Sequence, residues 1–315
     1  MTLPIPIDEF MRSAIRKYYQ NNESVGASGD FITSPEISQM FGEIVGVWCA
    51  TQYQEINSDF YLVEIGAGRG TMMKDILRAT KRVPGFHDNL KGVIILENST
   101  KLMEKQAQAL HGYDVTWVDD ISSLPAGNLI IVANEFLDAL PIKQFERVGN
   151  IFYELGVGNA RIAPVNLEYA CPENGIIEVC PDALYIAEKL AERGNLSALF
   201  IDYGYYEPKY KSTLQAVKGH KYHDVFSDVG EADITAHVDF KAFRNIFSKH
   251  DIRTNYQTQR EFLRNHGIEL RANALIKNGA NPATIIKALD RLTSPIQMGN
   301  LFKVLEVFNN AEGVS

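Results

Sequence analysis

Cysteine is scarce in this sequence, and its scarcity argues against two kinds of site. Only three cysteines, Cys49, Cys171 and Cys180, occur in 315 residues, and no two of them form a CxxC pair. An odd number of widely spaced thiols predicts buried thiols in a reducing compartment rather than a disulfide framework or a zinc cluster. His220 and His223 resemble a metal pair, but no third ligand lies near them, so we expect a solvated loop and no metal.

Clustered positive charge and long apolar runs are missing as well. Lys and Arg number 31 against 39 Asp and Glu, a formal charge of −8, and no polybasic run occurs. This balance argues against a nucleic-acid partner, which would require clustered basic residues. No apolar run reaches the roughly 18 residues of a membrane span. The first twenty residues contain Asp8 and Glu9 and have the features of neither a signal peptide nor a transit peptide, so we expect a soluble, cytoplasmic protein.

The first fifty residues predict helices. Ser34 is a good N-cap, Pro35 fits a first helical position, and Glu36 suits the positive end of the helix dipole. Gly42 and Gly46 lie four residues apart, which would allow a neighbouring backbone to approach closely. One buried face is predicted from apolar residues at helical spacing: Ile37, Met40, Phe41, Ile44, Val45 and Trp48.

Short apolar strands then alternate with helices, which predicts a parallel sheet built from right-handed βαβ units. Helices are predicted at Thr71–Thr80 and, after the strand that ends at Glu97, through Leu110. A hairpin is predicted over Ile142–Leu155, around Gly149 and Asn150. The predicted strands are Phe60–Ile65, Val93–Leu96, Val115–Val118, Leu129–Ala133, Ser197–Ile201 and Phe302–Phe308.

The fold class predicted is therefore α/β, with a doubly wound, mostly parallel, Rossmann-like sheet. We expect one domain over residues 1–315, which has four parts. These are a helical N-terminal portion (1–56), a cofactor-binding core (57–140), an inserted α/β region (141–195), and the rest of the core with substrate-side helices (196–315).

Acidic residues stand where the predicted strands end. Ligands of doubly wound sheets bind at the carboxyl ends of the strands, so these residues predict the binding site. The polar strand ends are Glu64 to Gly70, Glu97, Asp119 to Asp120, Asn134 to Asp138, and Asp202.

The glycine-rich turn after the first strand favours one nucleotide over another. Gly66, Gly68 and Gly70 place the third glycine one residue earlier than a dinucleotide-binding turn does. Glu64 would repel a pyrophosphate but attract an amino or sulfonium group. The pattern resembles the S-adenosylmethionine loop of class I methyltransferases.

The next two strand ends fit the same cofactor. Glu97 can accept hydrogen bonds from both ribose hydroxyls, although NAD sites also place an acid there. Asp120 stands where such methyltransferases often hold the adenine amino group. The alternative is that Glu64 or Asp120 only caps a helix or a turn.

Seven segments together resemble the MidA-like family, whose mitochondrial members are complex I assembly factors. The most specific are GDFITSPEISQMFGE and GEADITAHVDF. The segments, in chain order, are Gly29–Glu43, Glu64–Thr71, Ala133–Phe145, Ile201–Gly204, Thr213–His220, Gly230–Phe240 and Met298–Val307. The sequence departs from the family pattern at Lys17, at Val229 before Gly230, and at Arg260, where a glycine with positive φ was expected.

The resemblance implies a class I methyltransferase that uses S-adenosylmethionine and releases S-adenosylhomocysteine. It implies symmetric dimethylation of an arginine on a complex I subunit, the one corresponding to the 49-kDa subunit, which supports complex I assembly. The implied compartment is the bacterial cytoplasm, or the mitochondrial matrix in a eukaryote.

Methylation of an arginine requires carboxylates, because the guanidinium is protonated at any working pH. We expect Glu135 and Asp138 to hold the guanidinium and accept its proton, with Asn134 orienting them. His237 is a second candidate base. Ser34 and Pro35 are expected to contact the cofactor, and Asp30, Thr33 and Glu36 to close over it.

Two other functions remain open from the sequence alone. One is a non-catalytic assembly chaperone with a methyltransferase fold. The other is an NAD-dependent oxidoreductase, which the early third glycine disfavours.

Overall fold

The computed structural model describes residues 4–21 and 33–308. Its helices are α1 (Ile7–Asn21), α2 (Ser34–Ile37), α3 (Gln39–Ile56), α4 (Thr71–Thr80), α5 (Phe86–Asn89), α6 (Thr100–Ala109), α7 (Pro181–Arg193), α8 (Phe240–Lys249), α9 (Gln259–Asn265), α10 (Ile268–Lys277), α11 (Pro282–Thr293) and α12 (Met298–Leu301). Its strands are β1 (Phe60–Ile65), β2 (Leu90–Leu96), β3 (Val115–Val118), β4 (Asn128–Asn134), β5 (Lys143–Val148), β6 (Ile151–Gly156), β7 (Ala160–Val165), β8 (Ile176–Val179), β9 (Leu196–Tyr205), β10 (Gln215–Lys218), β11 (Lys221–His223), β12 (Asp233–Thr235), β13 (Val238–Asp239), β14 (Thr254–Thr258) and β15 (Phe302–Val307).

The chain forms two compact units. Of the described residues, the large unit comprises 33–136, 188–203 and 246–308, and the small unit comprises 4–21, 137–187 and 204–245. Among the described residues, none of the helices combines the length and apolar character needed to cross a membrane.

A mostly parallel sheet forms the centre of the large unit and confirms the predicted fold class. Its strand order is β14-β15-β9-β4-β1-β2-β3. β1, β2, β3, β4 and β9 run parallel, whereas β15 is antiparallel to both of its neighbours. β4 is apolar and buried because helices cover both faces of such a sheet. The predicted bounds of β1, β3 and α4 agree with the structure.

The strand that contains Asp202 is longer than predicted. Asp202 was expected to end its strand, but β9 continues to Tyr205. The extension arises because Gly204 and Tyr205 pair with the short strand β13. Asp202 is therefore a buried residue within a strand rather than a strand-end carboxylate.

The helix predicted to begin at Ser34 is two helices. Ser34 is not an N-cap but the first residue of α2, and Thr33 precedes it without a capping side-chain bond. Ser38 then adopts an extended conformation and its hydroxyl accepts a hydrogen bond from the Met40 N–H, so Ser38 caps α3. A serine that can cap a new helix competes with continuation of the old one, which explains the break.

Two glycines allow α3 and α4 to pack closely, as their spacing predicted. A Cβ atom on Gly42 would lie 2.6 Å from the Cβ of Asp75, and one on Gly46 would lie 3.0 Å from the Cβ of Ala79. The apolar residues of α3 from Met40 to Trp48 face the core, with Val47 exposed.

The Gly42→Ala substitution should therefore destabilise the protein. An added methyl group would force the two helices apart, and overpacking of this kind costs about 1–3 kcal/mol, more than the gain in helix propensity of about 1 kcal/mol. Urea denaturation measures the free energy of unfolding. Val47→Ala on the exposed face of the same helix is the control and should change it by less than about 0.5 kcal/mol. A Gly42→Ala protein as stable as wild type would contradict the close packing.

A buried carboxylate ties the antiparallel strand to the rest of the large unit. Glu306 on β15 accepts hydrogen bonds from the indole N–H of Trp48 at 3.0 Å and from the amides of Asn255 and Gln257, each at 2.7 Å. Three donors offset the cost of burying this charged group.

The small unit contains two antiparallel sheets, with strand orders β7-β6-β5-β8 and β11-β10-β12. The predicted hairpin is confirmed as β5 and β6, and Gly149 in its turn has a φ of 60°. Residues of α1, including Phe10 and Met11, pack in one apolar cluster with Ile142 and Ile234.

The two departures from the family pattern, at Arg260 and at Val229, do not place either residue in a strained backbone conformation. Arg260 lies in α9 with ordinary helical geometry, and its guanidinium donates to the carbonyl of Thr293 at 3.0 Å. The segment whose backbone the Arg260 departure placed in doubt is helical, because a capping box between Thr258 and Glu261 starts α9 there. Gly230, which follows the exposed Val229, supplies the positive φ of 89° itself.

Candidate active site

The glycine-rich loop between β1 and α4 has a conformation that favours glycine at three positions. Gly66, Gly68 and Gly70 have φ values of 71°, 52° and 78°. A Cβ atom on Gly66 would also lie 2.7 Å from the ring of Phe136. Gly70 is the N-cap of α4, so the loop carries the chain directly into the positive end of that helix.

Glu64 is a buried carboxylate beneath this loop. It is 2% exposed, and one of its interactions is a hydrogen bond from the Met73 N–H in the first turn of α4. Burial raises the pKa of Glu64 to about 8, and the Met73 hydrogen bond opposes this rise only in part.

Glu97 follows β2 and is held by its own loop. One carboxylate oxygen accepts from the N–H groups of Asn98 and Ser99, each at 2.9 Å. The other accepts from the side-chain amide of Gln106 at 3.1 Å. These three bonds fix the carboxylate and leave one of its roughly four lone-pair sites, on the oxygen that faces Gln106, for a hydroxyl donor.

Asp120 follows β3 and caps a turn. Its Oδ1 accepts from the Ser122 N–H at 2.8 Å, and Asp120 is exposed. The hydrogen bonds from the Ser122 hydroxyl and N–H lower the pKa of Asp120. This capping role is the alternative recognised from the sequence, and a contact with adenine stays a prediction.

Glu135 joins the end of β4 to α2. Its Oε1 accepts from the Ser34 N–H at 2.9 Å and from the Asn134 side-chain amide at 3.0 Å. Its own N–H donates to Ile201 on β9, and its φ of 52° is unusual for a residue other than glycine. Backbone strain of this kind is often found at functional sites.

The short helix α2 also contacts the glycine-rich loop. Glu36 accepts a hydrogen bond of 2.6 Å from the hydroxyl of Thr71, the first residue of α4. Pro35 is half-buried between Ser34 and Glu36. Thus α2 makes polar contacts both to the start of α4 and to the end of β4, whereas Asp30 lies outside the described residues.

The small unit contains Asp138 and His237, the other two predicted catalytic residues. Asp138 is buried, and its carbonyl accepts from the Ala236 N–H at 3.0 Å. His237 lines a pocket of the small unit together with Glu178, Tyr205 and Asp239. Burial, and then the positive charges of Lys209 and Lys211, lower the pKa of His237, which favours a neutral imidazole at neutral pH.

The described residues contain no group of three or more His, Cys, Asp or Glu side chains arranged to hold a metal ion. His223 lies 3.2 Å from the Asp228 carboxylate, and His220 occupies the β10–β11 turn with a φ of 62°.

Comparison with known proteins identifies the family. A family profile described as "Putative S-adenosyl-L-methionine-dependent methyltransferase" matches residues 44–257. The chain is 35% identical to Protein arginine methyltransferase NDUFAF7, mitochondrial, of Danio rerio, over 98% of this chain and 85% of that protein. The chain belongs to this methyltransferase family. The Homo sapiens relative of the same name is 32% identical over 96% of this chain and 79% of its own length.

Solved structures agree on the methyltransferase fold. A Burkholderia thailandensis crystal structure of a COG1565 superfamily member bound to S-adenosyl-homocysteine matches with a TM-score of 0.81 and 23% identity, covering 99% of this chain and 89% of that one. A native crystal structure of an uncharacterised protein from the same organism matches with a TM-score of 0.79 and 25% identity, with the same coverage of both chains.

Buried polar atoms of the large unit suit the cofactor of this methyltransferase family. Glu64 Oε2, Asn134 Oδ1 and Ser34 Oγ have no hydrogen-bond partner among the described residues. Glu64 pairs with Val132 across β1 and β4, and Asn134 follows Val132 by two residues, so Glu64 and Asn134 project from the same face of the sheet. Buried polar atoms without a partner are costly, and the ammonium group of S-adenosylmethionine is a donor that would satisfy such acceptors.

Sequence reasoning missed Gln106 and Trp117, which also support this site. Gln106 is fully buried on α6, and Trp117 on β3 donates to it at 2.8 Å. A signal was present in the sequence, because Gln106 falls at helical spacing between Met103 and Leu110 on an otherwise apolar face. A polar residue in such a position usually has a defined hydrogen-bond role.

Proposed function

We propose that this chain methylates an arginine of a protein substrate, using S-adenosylmethionine as the methyl donor. The observation that carries this proposal is the similarity to proteins named protein arginine methyltransferases, because it extends over 98% of the chain. The family resemblance extends the proposal to symmetric dimethylation of the complex I subunit corresponding to the 49-kDa subunit. The compartment would be the one in which that subunit assembles, the bacterial cytoplasm or the mitochondrial matrix.

The large unit supplies the groups that would hold the cofactor. Glu64, Asn134 and Ser34 would surround its ammonium group, since each has a buried acceptor atom without a partner among the described residues. Glu97 would accept from the ribose hydroxyls, and Gly66, Gly68 and Gly70 would let the backbone approach closely. Bound in this way, the cofactor supplies an electrophilic methyl group on a sulfonium.

Glu135 would hold the substrate guanidinium and accept its proton. Its Oε1 is already fixed by Ser34 and Asn134, so the carboxylate is oriented before any substrate arrives. A carboxylate localises the charge of the guanidinium and takes the proton that the attacking nitrogen must lose. The proposal for Glu135 does not depend on Asp138 or His237, which belong to the small unit and whose catalytic roles stay predictions.

The test is mass spectrometry of the client subunit from cells that lack this gene and are complemented with wild type, Glu135→Gln or Gly68→Val. We expect symmetric dimethylarginine at one site, lost on deletion, restored by wild type and not restored by Glu135→Gln or Gly68→Val. The exposed Glu104→Gln variant is the control and should restore the mark.

Two outcomes would overturn parts of this proposal. A client without the mark in wild-type cells would exclude this substrate. Complex I assembly restored by Gly68→Val without the mark would favour the non-catalytic chaperone, because that variant is expected to lose the cofactor.

A further inference from the structure

The buried side chain of Gln106 connects three parts of the candidate cofactor site. Its amide nitrogen donates to the carbonyl of Gly68 at 2.9 Å and to Glu97 Oε2 at 3.1 Å, and its amide oxygen accepts from the indole of Trp117 at 2.8 Å. The glycine-rich loop, the end of β2 and strand β3 therefore meet at one amide.

The partners of this amide fix its orientation. Trp117 has only a donor, so the atom that faces it must be the oxygen. The Gly68 carbonyl and the Glu97 carboxylate have only acceptors, so the atom that faces them must be the nitrogen, and both of its hydrogens are used. A flipped amide would lose all three bonds, and no other natural side chain of this size offers two donors and one acceptor.

Packing holds the rest of the residue in place. Gln106 has no exposed surface, and a Cβ atom on Gly70 would lie 3.4 Å from the Cα of Gln106. The backbone of α6 thus lies directly against the glycine-rich loop.

We infer that Gln106 is a positioning residue, which orients the Glu97 carboxylate toward the ribose hydroxyls and at the same time holds the glycine-rich loop at Gly68. This inference rests on the proposed role of Glu97 toward the cofactor. Gln106 acts through Glu97 and Gly68 and touches no reacting atom. Its loss should weaken recognition of the ribose more than recognition of the rest of the cofactor.

The Gln106→Met substitution keeps the length of the side chain and removes every hydrogen bond. Calorimetry would measure the Kd of S-adenosylhomocysteine and of its 2′-deoxy analogue. We expect Gln106→Met to weaken the binding of S-adenosylhomocysteine about tenfold and that of the analogue less than about threefold. The reason is that Glu97, without its bond from Gln106, would hold the ribose hydroxyls less well, and a hydrogen bond to a charged group is worth about this much. Gln108→Met, an exposed glutamine on the same helix, is the matched control and should leave both Kd values unchanged.

A spectroscopic readout checks the network without any ligand. The protein has two tryptophans, Trp48 and Trp117, so its ¹H–¹⁵N spectrum contains two indole signals. Gln106→Met should shift the indole signal of Trp117 and leave that of Trp48, which donates to Glu306, in place. If Gln106→Met does not fold, Trp117→Phe removes one bond of the network. It should weaken the binding of S-adenosylhomocysteine by a few-fold, and that of the 2′-deoxy analogue by less.

The outcomes separate this inference from the proposed function. If wild type binds S-adenosylhomocysteine and Glu97→Gln reduces discrimination against the 2′-deoxy analogue while Gln106→Met does not, the role of Gln106 is excluded. Equal weakening of both ligands by Gln106→Met would also exclude it, because a merely structural defect has that effect. Failure of wild type to bind S-adenosylhomocysteine would instead overturn the proposed function.

Discussion

Replacing Glu135 by glutamine is expected to reduce methyl transfer by about 100-fold or more while S-adenosylhomocysteine affinity stays within a few-fold. The amide oxygen of glutamine can still accept from the Ser34 N–H and the Asn134 amide, so both hydrogen bonds of Oε1 are retained. The substitution removes the negative charge and the basic oxygen. Single-turnover methylation of the client measures the rate, and calorimetry measures the affinity.

A matched control and a structural outcome make this result interpretable. Glu104→Gln changes an exposed glutamate of α6 and should leave the rate unchanged. If Glu135→Gln lowers both the unfolding temperature and the S-adenosylhomocysteine affinity, Glu135 acts mainly by joining β4 to α2. A wild-type rate in Glu135→Gln would remove this residue from the chemistry altogether.

The second large effect concerns pH, because Glu64 is a buried acid with a pKa of about 8 in the folded protein. At neutral pH most of the folded protein without ligand carries this group protonated. A cationic ammonium placed nearby favours the carboxylate, so binding of S-adenosylhomocysteine should release a proton. The affinity should rise with pH up to about pH 8, by at most tenfold per pH unit.

The same shift in pKa affects stability, with the opposite dependence on pH. The folded-state pKa of Glu64 lies above its ordinary value of 4.5, so its favourable contribution is complete below pH 4.5 and is lost as the pH rises through 8. Across that window the free energy of unfolding should fall by up to about 1.4 kcal/mol per pH unit from this group.

Calorimetry in buffers with different ionisation enthalpies counts the released protons. Glu64→Gln keeps an oxygen for the Met73 N–H but cannot ionise, so it should abolish both the proton release and the dependence of stability on pH in this window. If proton release persists in Glu64→Gln, the released proton comes from another group.

The sequence predicted those strands and helices of the core whose bounds are determined by neighbouring residues. Phe60–Ile65 and Thr71–Thr80 were predicted with the observed bounds, since an apolar run and a glycine-rich turn determine them. The break at Ser38 was missed because helical spacing of apolar residues continues across it. The assembly of the small unit from three separate stretches of chain was also missed, because such contacts leave no periodic signal.

The candidate site was predicted in part for a related reason. Acids at the ends of β1 and β2 follow from the predicted parallel sheet, so the sequence alone singles out Glu64 and Glu97, whose contacts with the cofactor stay predictions. What the sequence did not reveal is how these groups are held. The Gln106 network and the bond from Ser34 to Glu135 join residues of separate motifs, and no local pattern indicates such contacts. The bond from Asn134 to Glu135 joins neighbours in one motif, and an orienting role for Asn134 was predicted.

The antiparallel strand β15 has a consequence for the order of biosynthesis. Ile201 on β9 pairs with Val304, and Trp48 donates to Glu306. Residues that are synthesised early therefore have their partners in the last part of the chain to be synthesised. While the ribosome synthesises the intervening chain, the edge of β9 has no partner strand, and an open edge is prone to pair with other chains. The sheet is therefore completed only when β15 emerges, and until then the unfinished chain is exposed to such mispairing.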